Sequence, residues 1–541
     1  METVQKKEKI KNKIWKFTSD NIIAVSFLCT IVLIMIMFLC TLVIDSDTNF
    51  ILYEGERIAK HGMQYWNTAA VAGKMRTVIQ QWLYDLIIYI IYTFSGWRGL
   101  AVFNALQGIG LFASVIYLCR ATGNGKKSVM ITAIVTVFVF IFMYGGTRPE
   151  IITAVLLALN AAFMERYVHT ENTKYLLMCF PLVVLEANLH ASMWIMHAAV
   201  MFPYVIPYDR IAAFIKCPVN KDIVRSYKKL PILAAILLTP ALSLLNPYGA
   251  EGTMYLFNSA GMGLRDAGII EMQFPKLLAM EGLPYLILLP LAGMCIKKTR
   301  IEHDLFFIGA FCLYGMALRN IIFLTIAASP LLSSVLTALN IEKLKKPKLK
   351  KQKVKALKHG GIKSMISGIK YSSEKSDEKD EKKTREVVPY LTLAFNFAII
   401  ATCFVSLCFI IAQPIKETDS TTFPVLAEKY LIKERTLRNA PARVWTQYSN
   451  GAYFERYGEK VYIDARPEIW QKKINHKTNI FDEYENVESP TISQYNTMKK
   501  KYHFDYIVAE HDSTLEDKCK NDPAAVKVVD GHGYSFYKIL S

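Results

Sequence analysis

The chain has 541 residues, 52% of them apolar and 12% aromatic, with a mean hydropathy of +0.22 and a formal net charge of +18. The apolar residues fall in long runs, which argues against a soluble multidomain protein. Residues 1–16 are net +4, residues 342–386 net +9 and residues 413–541 net zero. This rules out a basic nucleic-acid-binding domain as the source of the charge and matches the positive-inside bias of a multi-pass membrane protein.

In chain order, residues 1–21 form a basic, cytoplasmic N-terminus. A spanning helix needs about 20 mostly apolar residues. Residues 22–44 meet that and lack a small-residue cleavage site, so they read as a retained anchor. Further apolar segments are 79–95, 99–119, 129–144, 150–165, 175–187, 189–207, 230–246, 284–297, 304–319, 320–337 and 389–412. The basic loops 1–16, Arg120 to Lys127, Lys216 to Lys229, Lys297 to Arg300, and 342–386 should all face the cytoplasm. From Arg120 onward the spans between successive basic loops are even in number, as that requires. Before Arg120 they are odd. Segment 79–95, with Gln80, Gln81, Trp82 and Asp85, is the weakest and amphipathic. Reading it as an interfacial or re-entrant helix restores parity and gives eleven spans. The alternative is thirteen, with a second weak segment near 250–275 also spanning.

The expected fold is an α-helical multi-pass membrane protein carrying a small C-terminal α/β domain. Its parts are a transmembrane domain over 22–338, a solvated Lys-rich cytoplasmic loop over 339–388 with too little apolar content to fold, a last helix over 389–412, and an extracytoplasmic domain over 413–541. In that domain Arg443–Gln447, Lys460–Asp464 and Phe504–Val508 read as strands. Gly451–Arg456 and Ser513–Lys520 read as helices, and Val526–Val529 with Tyr534–Ile539 as a hairpin. Of ten cysteines only Cys519 lies in this polar region, so no disulfide framework follows, and no Cys/His spacing resembles a zinc site.

Ionisable residues at membrane level are expensive to bury and are functional candidates for that reason. Asp45 and Asp47 follow the first span, and Arg148 and Glu150 join two others. Asn188 and His190 lie where 175–187 meets 189–207; Tyr248 lies in Asn246-Pro-Tyr-Gly249, Glu271 in the next loop, and Arg319 and Asn320 between two apolar runs. The topology puts all of them on the outer side. Each also has a plain structural reading: solvated helix-end acids, an interfacial anchor, a hydrogen-bonded core histidine, a turn, a surface acid. Asp85 reads as a polar-face residue. Together they offer carboxylates for general-base work and arginines for phosphate.

Asp45-Ser-Asp47, Gly55-Glu-Arg-Ile58, His61-Gly62 and Gln81-Trp82-Leu83 resemble the first external loop of bacterial membrane glycosyltransferases of the GT-C type. Arg148-Pro149, Ala187-Asn-Leu-His190, Asn246-Pro-Tyr-Gly249, Glu271-Met-Gln273 and Leu318-Arg-Asn320 are similar to that group in the same order. So are Gly451-Ala-Tyr453 and Val461-Tyr-Ile-Asp-Ala-Arg466 in the C-terminal domain. The resemblance implies a polyprenyl-phosphate sugar donor, an extracytoplasmic glycan, lipid or protein acceptor, and Asp47 or Asp45 as catalytic base. It assigns His190 and Arg319 to donor phosphate or acceptor. Where that group often carries Trp-Trp-His, this chain has Asn49-Phe50-Ile51. The first-loop acids also suit a divalent cation, Mg²⁺ or Mn²⁺, though two carboxylates one residue apart do not define a site. Two other readings stand beside the transferase: a transporter or flippase for a lipid-linked or anionic solute, and a non-catalytic cell-envelope scaffold. A transporter predicts internal repeats, and none is visible.

Overall fold

The computed structural model describes residues 45–143, 146–208, 227–259, 273–274, 287–288, 290–291, 293–294, 299–339, 401, 405, 417–438 and 440–540. Span 22–44, most of 284–297 and of 389–412, the loop 342–386, and Glu271 lie outside the described residues. The chain divides into two compact units, Met1–Thr41 with Lys343–Pro414, and Leu42–Glu342 with Ile415–Ser541. Every element below belongs to the second.

The first described helix, α1 (Ser46–His61), begins at a capping box. The Asp45 carboxylate accepts from Thr48 N at 3.0 Å, while the Thr48 side chain turns back toward Asp45 N. Ile51, Leu52, Gly55 and Ile58 recur at helical spacing and are buried. Gly55 lets α1 approach its neighbour: a Cβ there would stand 2.2 Å from the Asp85 carbonyl oxygen. A two-stranded ribbon, β1 (Trp66–Asn67) with β2 (Met75–Arg76), precedes α2 (Trp82–Ala121). That element is two helices meeting at Gly96, whose φ of 58° and ψ of −155° are not helical. The break falls between the two segments that the sequence separates.

There follow α3 (Lys126–Met143), α4 (Glu150–Thr170) and α5 (Lys174–Leu189). The expected span 189–207 is interrupted. His190 leaves helical geometry (φ −159°, ψ 73°), and a 3₁₀ turn at Ala191–Met193, the short α6 (Ile195–Met201) and a second 3₁₀ turn at Phe202–Val205 follow. Pro203, which has no N–H to donate, lies in that last turn. Next come α7 (Leu230–Ser243), the short α8 (Ala250–Thr253) and α9 (Tyr255–Ser259), then α10 (Ile301–Met316), a 3₁₀ turn at Leu318–Asn320 and α11 (Ile321–Ala338). Among the described residues, Trp82–Ala121, Glu150–Thr170 and Leu318–Ala338 are long and apolar enough to cross a bilayer, with Ala191–Val205 and Leu230–Ser243 shorter and apolar.

The C-terminal part opens with α12 (Val425–Arg438) and builds a five-stranded sheet. Its strands are β3 (Arg443–Trp445), β4 (Lys460–Val461), β5 (Tyr506–Glu510), β6 (Ala525–Asp530) and β7 (Tyr534–Ile539), in spatial order β4-β3-β5-β7-β6. β3 runs parallel to β4 and β5, and the β6–β7 hairpin adds antiparallel to β5. The parallel pairs require crossovers. Helix α13 (Gly451–Arg456) supplies one; α14 (Lys472–Asn475), α15 (Ile480–Val487) and α16 (Ile492–Tyr502) supply the other. A last helix, α17 (Thr514–Lys520), joins β5 to β6. The expected strands, helices and hairpin are all present; β3 and β4 are shorter than expected, β5 lies two residues further on, and β6 is one residue longer at each end.

The core here is aromatic: Trp445, Tyr462, Tyr495, Phe504, Tyr506 and Phe536 are buried together, with Phe536 stacked on Tyr506 at 5.0 Å. Ala70, Val71 and Met75 join that core from the first loop, and Ala70 bridges in parallel to Val461.

Candidate functional site

A cavity of about 420 Å³ opens where α1, the start of α2, the Arg148–Glu150 corner, His190, Arg319 and the C-terminal part meet. α1 contributes Ser46, Asp47, Phe50, Ile51 and Glu54. The stretch Thr77–Gln81 and Asp85 form a second wall. Tyr255 and Tyr448 also line it, and Ala465, Arg466, Pro467, Glu468 and Ile469 form the wall from the C-terminal part.

Of the residues singled out by sequence, Asp47, Arg148, Glu150, His190 and Arg319 come together on this cavity. Arg148 binds both first-loop acids: it meets Asp47 Oδ2 at 3.0 Å and Asp45 Oδ2 at 3.1 Å. Asp45 is fully engaged elsewhere, since its other oxygen caps α1 and accepts from the Thr48 hydroxyl at 2.8 Å. It stands behind the cavity wall. Asn188 ties three elements together instead: its Oδ1 accepts from Trp82 Nε1 at 3.0 Å, and its Nδ2 donates to the Val184 and Leu245 carbonyls. Tyr248 donates to the Gln64 carbonyl at 2.6 Å and packs edge-on to Tyr65. The Asn320 amide donates to the Leu313 carbonyl at 2.7 Å, which caps the end of α10. These three lie outside the cavity lining, and Glu271 lies outside the described residues.

The structure adds buried charges to which the sequence analysis gave no role at the site. Asp85 is fully buried and accepts from the Gln81 amide at 2.9 Å, so it is no polar-face residue. Arg466 is 9% exposed and holds Asp464, Glu455 and Glu54 around one guanidinium. Glu54 also pairs with Arg57 at 2.9 Å, and Asp464 accepts from Trp470 Nε1 at 2.8 Å. Burial alone raises the Asp464 carboxyl, but the adjoining Arg466 charge outweighs it and holds the group below the ordinary range. Burial pushes Glu455 well above that range, with Arg466 offsetting only part of it. Arg466 is thus a strut committed to three carboxylates. Residue chemistry alone marks Arg466 only through the Asp464-Ala-Arg466 spacing.

Among the described residues no three His, Cys, Asp or Glu side chains gather as a metal-binding group. Asp45 and Asp47 close on a guanidinium, which is not a cation site.

No family model matches the sequence, and no curated protein matches it. Solved structures do. ArnT from Cupriavidus metallidurans in the apo state aligns over 97% of this chain and 98% of its own, with a TM-score of 0.52 and 12% identity. The fold is of the GT-C type. The same ArnT bound to undecaprenyl phosphate scores 0.48, at 12% identity over 97% of each chain. An Archaeoglobus fulgidus oligosaccharyltransferase tethered to an acceptor peptide scores 0.46, at 12% identity over 89% of this chain and 68% of its own. The GT-C fold makes this a multi-pass membrane protein, and the cavity sits where its helices meet the C-terminal part.

Proposed function

We propose that the chain is a membrane glycosyltransferase moving a sugar from a polyprenyl-phosphate donor to an extracytoplasmic acceptor. The observation that carries this reading is the meeting of Asp47, Arg148, His190 and Arg319 on one cavity. The donor's phosphate competes with the carboxylates for Arg148, whose planar guanidinium suits bidentate phosphate binding. Phosphate binding there loosens the hold on Asp47, which then takes the proton of the acceptor hydroxyl. The acceptor oxygen bonds to the anomeric carbon as the bond from that carbon to the phosphate oxygen breaks. The electron pair leaves on the phosphate, where Arg148 and Arg319 stabilise it. A single displacement inverts the anomeric centre. Asp45 and Asp47 both face the Arg148 guanidinium, an arrangement that does not fit Mg²⁺ or Mn²⁺.

The test is sugar transfer by purified protein supplied with lipid-linked donors. Asp47→Ala is expected to lower kcat by about 10²–10⁴-fold, the range for losing a general base. Asp45→Ala should chiefly lower stability, by about 1 kcal/mol for a lost helix cap. Unchanged transfer by Asp47→Ala rules this mechanism out.

A further inference from the structure

His190 ends a buried chain of side chains that reaches back between α4, α5 and α6. Asn160, His197, Glu186 and Thr153 are 0% exposed and His190 is 3% exposed. Thr153 and Asn160 stand two turns apart on one face of α4; Glu186 and His190 are four apart on and just past α5. One end decides the direction of every proton. Asn160 Nδ2 lies 3.2 Å from the His197 carbonyl oxygen, which only accepts, so this end of the side chain is the amide nitrogen. Its second proton goes to His197 Nδ1 at 2.9 Å. His197 is therefore protonated on Nε2, which faces Glu186 Oε2 at 3.4 Å. Thr153 Oγ1 lies 2.6 Å from the other oxygen, Glu186 Oε1, and donates its single proton there. Its lone pair then accepts from His190 Nδ1 at 3.0 Å. With Nδ1 protonated, neutral His190 keeps a lone pair on Nε2, the ring nitrogen left for the cavity.

We infer that Asn160, His197, Glu186 and Thr153 set His190 as a hydrogen-bond acceptor in the cavity, so that it takes a substrate hydroxyl rather than a phosphate oxygen. This rests on the glycosyltransferase reading and narrows it. A phosphate oxygen offers only lone pairs to a lone pair. A sugar or acceptor hydroxyl offers a proton. Thr153 and Glu186 are positioning residues, because they act through His190.

Glu186→Gln tests the chain without changing its shape. The amide oxygen stays with the His197 Nε2 proton, so the amide nitrogen donates to Thr153 Oγ1. The Thr153 proton then turns to His190 Nδ1, and the His190 proton moves to Nε2. ¹⁵N spectra of histidine-labelled full-length protein, with His190 assigned through His190→Gln, should show protonated Nδ1 in the unmodified chain and in Thr153→Ser, and protonated Nε2 in Glu186→Gln. Protonated Nε2 in the unmodified chain overturns the inference.

Binding of polyprenyl phosphate without sugar and of polyprenyl-phosphate hexoses supplies the second readout. If the sugar supplies the hydroxyl, Glu186→Gln weakens the sugar-bearing lipids by about tenfold, roughly one hydrogen bond, and leaves the bare lipid unweakened. If the acceptor supplies it, both lipids bind as before and the acceptor KM rises by about the same factor. Equal weakening of both lipids, no change in any of the three, or loss in Thr153→Ser as large as in Glu186→Gln sinks it. A protein that binds and transfers no lipid-linked sugar defeats the glycosyltransferase reading, while the spectra still decide the tautomer.

Discussion

Glu428, on α12, is 2% exposed, and neither carboxyl oxygen meets a hydrogen-bond donor among the described residues. Burial, reinforced by the charge of Glu459, pushes its pKa from the ordinary 4.5 up to about 8. The folded protein thus holds a proton that the unfolded chain gives up near 4.5. The stability linked to that proton is complete below the lower value and is lost as pH rises through the higher one. Glu428→Gln keeps the neutral shape. In thermal unfolding of the full chain in detergent, its advantage over the unmodified protein should grow from about pH 5 to about pH 9. Curves that stay parallel across that window would clear Glu428 as the source. Burial also explains what the sequence showed at the site. Asp47, Arg148, His190 and Arg319 stand out because each interrupts or ends an apolar run. Glu54 and Arg466 do not, because their pairing joins distant parts of the chain. Charge in a polar stretch reads as solvated until the fold buries it.

The long apolar helices and all five strands of the C-terminal sheet were legible from periodicity and turn residues, because apolar length and alternation are local properties; α1, α12 and α14 to α16 were not read. Segment 189–207 was read as one span because it is mostly apolar, whereas the helix is broken at His190 and again at the 3₁₀ turn that holds Pro203. The kink in α2 falls between two proposed segments, but the glycine that makes it was not singled out. Gly96 has φ 58°, and a Cβ built there meets nothing within 4 Å. The cost of a side chain is therefore one of backbone conformation alone: with ψ −155° the residue lies outside the left-handed helical well, in a region that is essentially glycine's, at about 1–3 kcal/mol for other residues. Gly96→Ala and Gly96→Asn should each lower thermal stability by that order, because Asn gains its tolerance in the left-handed helical well alone. No loss in Gly96→Ala, read by thermal unfolding, would mean that the two helices do not need this kink.

At the scale of the molecule, the C-terminal part is a wall of the cavity as well as a domain on its own core. Arg456 fastens it. Its guanidinium donates to Asn49 Oδ1 at 3.2 Å and Tyr92 Oη at 2.8 Å, pairs with Glu417 at 2.6 Å, and lies over the Tyr92 and Trp97 rings. Arg456→Ala removes contacts to both α1 and α2. Hydrogen–deuterium exchange should then quicken in residues 46–54 and 464–470 together; acceleration confined to one segment would show that the walls are held independently. The charge pattern along the sequence marked this part as neutral and distinct, but the joint was invisible, because it is made of contacts between the two ends of the chain. The same joint reaches the main chain: Val71 N donates to the Val461 carbonyl at 2.9 Å, and Val461 N to the Ala69 carbonyl at 2.8 Å. Residues 69–71 thus finish the exposed edge of β4, which would otherwise offer open N–H and C=O groups to other chains. During synthesis, however, these three residues leave the ribosome long before their partner strand exists. The wall that Ala465 to Ile469 give the cavity therefore closes only once this later stretch has been made and has folded back onto residues 69–71.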